Sequence, residues 1–160
     1  RRTTSQTRGH GRHGRGIHTR SRRGFEVVKV RFAKAEDAEQ VKSLVQLSGH
    51  TMPPDLDWTK LFPFWLVAEG LEGRILGCMQ LVPSLPVGFF EFLSFDPRLG
   101  FLQKGRVLKS LETIGEAWLK KAGVQYLGVH IQPQAKSWAQ VLRNRGFVSQ
   151  GMTALYSRRL

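Results

Sequence analysis

The stretch Gly88–Pro97 (GFFEFLSFDP) restricts the fold more than any other: an apolar, phenylalanine-rich run with a single carboxylate, Glu91, closed by Asp96 and Pro97. Such a run, stopped by proline, predicts a buried strand. Downstream, Val107, Leu108, Leu111, Ile114 and Trp118 recur at helical spacing up to Gly123, a natural helix stop. A loop holding Gln103, Lys104, Gly105 and Arg106 is expected to join strand to helix. Free N–H groups at a helix start attract anions, and cationic side chains beside them strengthen the attraction. The passage is therefore a phosphate-facing turn on an α/β scaffold.

Charge divides the chain in two. Residues 1–24 hold eight arginines (Arg1, Arg2, Arg8, Arg12, Arg15, Arg20, Arg22, Arg23) and no acid, so +8 of the +13 net charge sits there. Ile17 is the only large apolar residue of this arm, too little to offset the entropy of ordering it. Guanidinium forks bind phosphates bidentately and glycine keeps the backbone close, so the arm is read as a binder of nucleic acid or another polyanion. The alternative is a targeting presequence, which the glycines argue against because such signals form amphipathic helices. His10, His13 and His18 invite a metal reading, but arginines repel cations and no Cys or acid completes a site, so no metal is expected.

Residues 25–160 read as one domain with a real core. Glu26–Ala33 alternates as a first strand. Ala35–Ser48 places Ala38, Val41, Leu44 and Val45 on one helical face before Gly49. Residues 50–63 are turn-rich. Trp65–Glu69 and Arg74–Val82 form a hairpin around Gly70–Gly73. After the Glu91 strand and its helix come a strand at Val124–Ile131, a short helix at Lys136–Arg145 stopped by Gly146, and one or two closing strands. The order is β-α-(α)-β-β-β-α-β-α-β, a mixed sheet with helices packed on it. The lone cysteine, Cys78, excludes an internal disulfide and fits a reducing compartment; it is read as a small core residue. No apolar run approaches the ~18 residues of a membrane helix, so no membrane partner is expected.

This order, with Glu91–Pro97 in the central strand, a helix ending at Trp118–Gly123 and a closing Arg145-Gly146-Phe147, resembles the GNAT family of acyl-CoA-dependent N-acyltransferases over nearly all of the chain except the arm. The resemblance implies a GNAT-like fold with acetyl-CoA as cofactor if the domain is active. In the family the loop after the central strand carries Arg/Gln-x-x-Gly-x-Gly/Ala, whose glycines let main-chain N–H groups close around the CoA diphosphate. Counted back from Trp118 and Gly123, Gln103 takes the first position while Arg106 and Leu108 stand where the glycines belong. Sliding the frame makes Gly105 the first glycine, with Val107 at the second. Lys104 and Arg106 can hold phosphate by charge instead. The resemblance makes Gln103–Leu108 and the strand backbone at Phe92, Leu93 and Ser94 the cofactor-binding set. Glu91 becomes the candidate base that deprotonates the attacking ammonium. The family's asparagine, alanine and thiolate-protonating tyrosine fall on Ala135, Trp138 and Leu142, none of which matches, and Leu142 has no proton to give. His130 alternates with Val129 and Ile131 and is read as an ordinary strand histidine.

Two readings follow. One is a GNAT-like domain with degenerate acetyl-CoA motifs, a structural or accessory component of a virion or ribonucleoprotein, holding nucleic acid through the arm and packing on neighbouring proteins. It would need no cofactor. The other is an active acetyl-CoA-dependent N-acetyltransferase acting on an amine of a small molecule or protein.

Overall fold

The computed structural model describes residues 28–52, 55–131, 136–150 and 155–160; the arm lies outside them. Seven strands form one sheet: β1 (Lys29–Phe32), β2 (Trp65–Glu69), β3 (Ile75–Val82), β4 (Val87–Phe95), β5 (Tyr126–His130), β6 (Val148–Ser149) and β7 (Leu155–Arg159). Their order across the sheet is β1-β2-β3-β4-β5-β7-β6. Only β4 and β5 run parallel, because the long helix α2 (Phe101–Lys121) connects them as a crossover. The other neighbours pair antiparallel.

Two apolar layers cover the sheet. On one face α1 (Ala38–Leu47) sets Val41, Leu44 and Val45 against Trp65, Val67, Ile75 and Cys78, with Trp58 and Phe62 from two single 3-10 turns closing the edge. The aromatic cluster of residues 58–65 is thus core, apart from Phe64, which sits edge-on to Trp118 at the surface. Cys78 is fully buried among them, and burial pushes its thiol pKa up, which leaves it unreactive.

On the other face α2 packs through Val107, Leu111, Gly115 and Leu119 onto Leu66, Met79, Leu81 and Phe90. The sequence spacing named Val107, Leu108, Leu111, Ile114 and Trp118; Val107 and Leu111 are buried as expected and Trp118 packs on the core, but Ile114 is 43% exposed. Gly115 is the reason. A Cβ there would lie 2.9 Å from Phe90 Cε1 and 3.0 Å from Leu81 Cδ2. Glycine lets the helix axis approach the sheet, so the stripe rotates onto residues four apart and turns Ile114 outward. The short helix α3 (Lys136–Asn144) lies on the same side, bringing Leu142 and, after its stop, Phe147 into this core.

Helix ends decide what reaches the functional cleft. Gly49 (φ +79°) follows α1; it donates to the Gln46 carbonyl and His50 donates to that of Val45. Gly146 (φ +82°) repeats the pattern after α3, with Phe147 donating to Leu142. This paired closure turns the chain sharply at a left-handed residue. It delivers His50 to one side of the sheet and Arg145 with Phe147 to the other.

Candidate active site

The site is a fork in the sheet. β4 pairs with β5 only from Val87 to Phe90, against Tyr126 to Val129. Beyond that β4 follows β3, because it carries a bulge: Gln80 faces Glu91 and Cys78 faces Ser94, leaving Phe92 and Leu93 opposite Met79 alone. Phe92 adopts φ +51°, a costly conformation for an aromatic residue. Its ring is stacked on Trp65 (6.0 Å between centroids) and meets His50 edge-on (5.4 Å). Its carbonyl accepts a hydrogen bond from Ser94 Oγ at 2.9 Å. These contacts hold the bulge, and the bulge opens a cleft of ≈ 820 Å³ between the strands. Among the described residues no strand pairs with the β5-facing edge of β4 from Glu91 onward, so its main chain can pair with an extended ligand.

The cleft runs through the sheet and opens on both faces. Phe90 and Val129 point into the α2 core, so by strand alternation their neighbours Glu91 and His130 project toward the α1 face. There His130 Nδ1 lies 3.2 Å from Glu91 Oε1, and the His130 ring stacks on Phe89 with centroids 5.0 Å apart. Leu47, Ser48, His50 and Phe92 complete this mouth. On the opposite face Lys104, Leu108 and Glu112, spaced by one turn each along α2, confront Trp138, Leu142 and Arg145.

The helix start corrects the sequence reading. Residues 103–106 are not a loop: α2 begins at Phe101, and the connection is the turn 96–100. Within it Leu99 donates to the Asp96 carbonyl, and the Gly100 N–H is capped by Gln103 Oε1 at 2.9 Å. The helix starts at Phe101 because Gly100 serves as its N-cap and the Gln103 side chain reaches back to the Gly100 N–H, whereas the expected loop rested on Gly105 alone. Of the six candidate anion-holding residues, Lys104 and Leu108 line the cleft. Val107 is buried against Gly77, Gln103 is the cap, and Gly105 and Arg106 are exposed outside the cleft lining. Among the strand candidates Glu91, Phe92 and Leu93 line the cleft, while Ser94 is fully buried and locks the bulge. His130, read from the sequence as an ordinary strand histidine, stands beside Glu91. The signal was the parallel pairing itself, since the register that sets Phe90 beside Val129 sets Glu91 beside His130.

Two ion-pair clusters fix the walls. Asp96, 2% exposed, accepts from Arg74 Nη2 (2.6 Å), from Arg98 Nη2 (2.8 Å) and from the Arg98 N–H (2.9 Å). The Arg98 contacts first, and Arg74 with them, hold its carboxyl far below the usual carboxylate range against the opposing effect of burial. It anchors the turn that launches α2. Across the cleft floor Glu112 pairs with Arg145 and with Arg158 of β7, and Arg158 also reaches Glu116 and lies over the Phe147 ring. Burial, and then the nearby Arg158, lower the pKa of Arg145. The described residues include no group of three or more His, Cys, Asp or Glu side chains able to hold a metal.

Comparison with solved structures fixes what this architecture is. The chain superimposes on a GNAT-family acetyltransferase from Listeria monocytogenes with a TM-score of 0.65 at 14% identity, over 83% of this chain and 95% of that one. A GNAT-family acetyltransferase from Staphylococcus aureus matches with a TM-score of 0.61 at 12% identity, over 84% and 99%. The fold is that of the GNAT acetyltransferases. N-acetylglutamate synthase from Neisseria gonorrhoeae, solved with coenzyme A and L-arginine, shares this GNAT fold with a TM-score of 0.64 at 16% identity. That match covers 85% of the present chain, which spans only 34% of the synthase. No family model and no curated protein matches the sequence. No helix among the described residues is long and apolar enough to cross a membrane.

Proposed function

We propose that the chain is an acyl-CoA-dependent N-acyltransferase with acetyl-CoA as donor. The observation that carries this reading is the forked cleft, with a cation on one side, a carboxylate–imidazole pair on the other and an unpaired strand edge between. The residues present suit the cofactor, though not through a glycine cradle. Lys104 is a cleft-lining cation within the first turns of α2, where it can hold a diphosphate by charge. The free β4 edge at Phe92 and Leu93 suits the amides of the pantetheine arm. When bound, acetyl-CoA supplies an acyl group activated as a thioester.

Glu91 takes a proton from the incoming ammonium, which frees the nitrogen lone pair for the acyl carbon. With the donor held there, the N–C bond would form as the C–S bond breaks, sulfur leaving with the electron pair. The nitrogen sheds its second proton to solvent, and the thiolate takes one up from water. His130, within hydrogen-bond range of Glu91, orients the carboxylate and gives the proton a path to solvent. Leu142 and Phe147 add apolar surface to the cleft floor beside the Glu112–Arg145 ion pair, which lowers the local polarity in which fixed charges act.

Release of CoA thiol from acetyl-CoA in the presence of a primary amine tests the reading. Turnover is expected, with kcat reduced about 10²-fold or more in Glu91→Gln and CoA affinity retained. No thiol release with any amine sinks it. A second reading rests on a separate observation, the eight arginines of residues 1–24 without an acid. They support attachment of the domain to nucleic acid, as an accessory of a nucleic-acid-rich assembly or as the address of the enzyme.

A further inference from the structure

The two mouths of the cleft differ in charge, and the difference bears on the acceptor. The α2 side presents Lys104, which suits the phosphates of a donor, beside the Glu112–Arg145 ion pair. The α1 side is lined by Leu47, Ser48, His50, Glu91, Phe92 and His130, with neither lysine nor arginine among them. Among the described residues lining this mouth, Glu91 is therefore the only permanently charged group.

An α-amino acid brings its own carboxylate within two bonds of the reacting nitrogen. Seated with its ammonium at Glu91, it would hold two anions close together with no lysine or arginine among the described lining residues to separate them, and would leave its desolvated carboxylate without a partner there. An ammonium on an uncharged carbon frame meets no such penalty. Its apolar part can lie on Phe92, whose ring is fixed by Trp65 and His50, and against Leu47, which is 66% exposed at the rim. We propose that this mouth selects an amine that carries an apolar body and no adjacent carboxylate, the chemistry of an aralkyl amine or of a peptide end. The proposal rests on the acyl-transfer reading for its use, but not for its test.

Phenethylamine, phenylalaninamide and phenylalanine share ring and amine and differ in the group beside the nitrogen. Their affinities for the full chain, measured by calorimetry with and without CoA, should place the first two at least about tenfold tighter than phenylalanine. Phenethylamine ahead points to a small amine, and phenylalaninamide ahead to a peptide end. Leu47→Arg, which puts a cation at the rim, should narrow the gap by strengthening phenylalanine. Phenylalanine binding as tightly as the other two in the unaltered chain, or no binding by any of the three, overturns the proposal. Thiol release is scored separately: ranked binding without turnover keeps the acceptor class and removes acyl transfer.

Discussion

Gly105→Ala tests where α2 begins and what its first turns do. In the sequence frame that makes Gly105 part of a glycine cradle, a side chain there would block the main chain from a diphosphate. In the structure Gly105 lies in the fifth position of a continuous helix, exposed, with no atom within 4 Å of a Cβ built on it. Alanine there adds helix propensity and removes unfolded-state freedom without a clash, worth about 0.5–1 kcal/mol. For a chain of this size that corresponds to roughly 1–4 °C in Tm. The same change at Gly115 provides the contrast, because its Cβ would meet the Phe90 ring at 2.9 Å. Overpacking of about 1–3 kcal/mol would consume the propensity gain and leave a net loss of roughly 0–2 kcal/mol. Urea and thermal denaturation followed by circular dichroism read both variants. Destabilisation by Gly105→Ala, or loss of CoA affinity in it, would refute the helical start and return that residue to a cradle.

Asp96→Asn keeps the shape of the turn but removes the anion between Arg74 and Arg98. Both arginines can turn to water, so the loss at pH 7 should be about 1–3 kcal/mol rather than that of a fully buried pair. The folded pKa is depressed, so the carboxylate's contribution is present above the ordinary range and disappears as pH falls below it; urea titrations near pH 7 and pH 3 should show the variant's deficit shrinking. A deficit that stays constant over that interval contradicts the role given to Asp96. Removal of residues 1–24 should abolish an affinity for nucleic acid that, in the whole chain, falls steeply with salt on filter binding or fluorescence anisotropy. Binding that persists without the arm, or ignores salt, counts against the arm.

Much of the architecture was legible because strong local signals agreed. The apolar Phe-rich run, the period of Val41, Leu44 and Val45, and the glycine stops at 49, 123 and 146 gave an element order that the sheet reproduces. The start of α2 was not legible, since one glycine in a basic segment outweighed a cap formed by a glutamine side chain, Gln103 on Gly100. Val107 and Leu111 of the inward face of α2 were legible, but Gly115 was not and Ile114 was wrongly placed inward, because side-chain hydrophobicity cannot register that Gly115 is buried for want of a side chain. Glu91 stood out as a lone carboxylate, whereas His130 acquired meaning only through strand register, a property of two distant segments. Lys104 and Arg106 are equivalent in composition, and only helix phase separates the one lining the cleft from the one outside it.

The central claim is that this cleft takes the donor, with its diphosphate held by the Lys104 side chain in place of bare main chain. Calorimetric titration of CoA into the full chain and into Lys104→Ala measures this most directly. The account predicts micromolar binding that weakens about tenfold in the variant, the loss of one charge-assisted contact. Absence of binding to the unaltered chain, or equal affinity in Lys104→Ala, would contradict it.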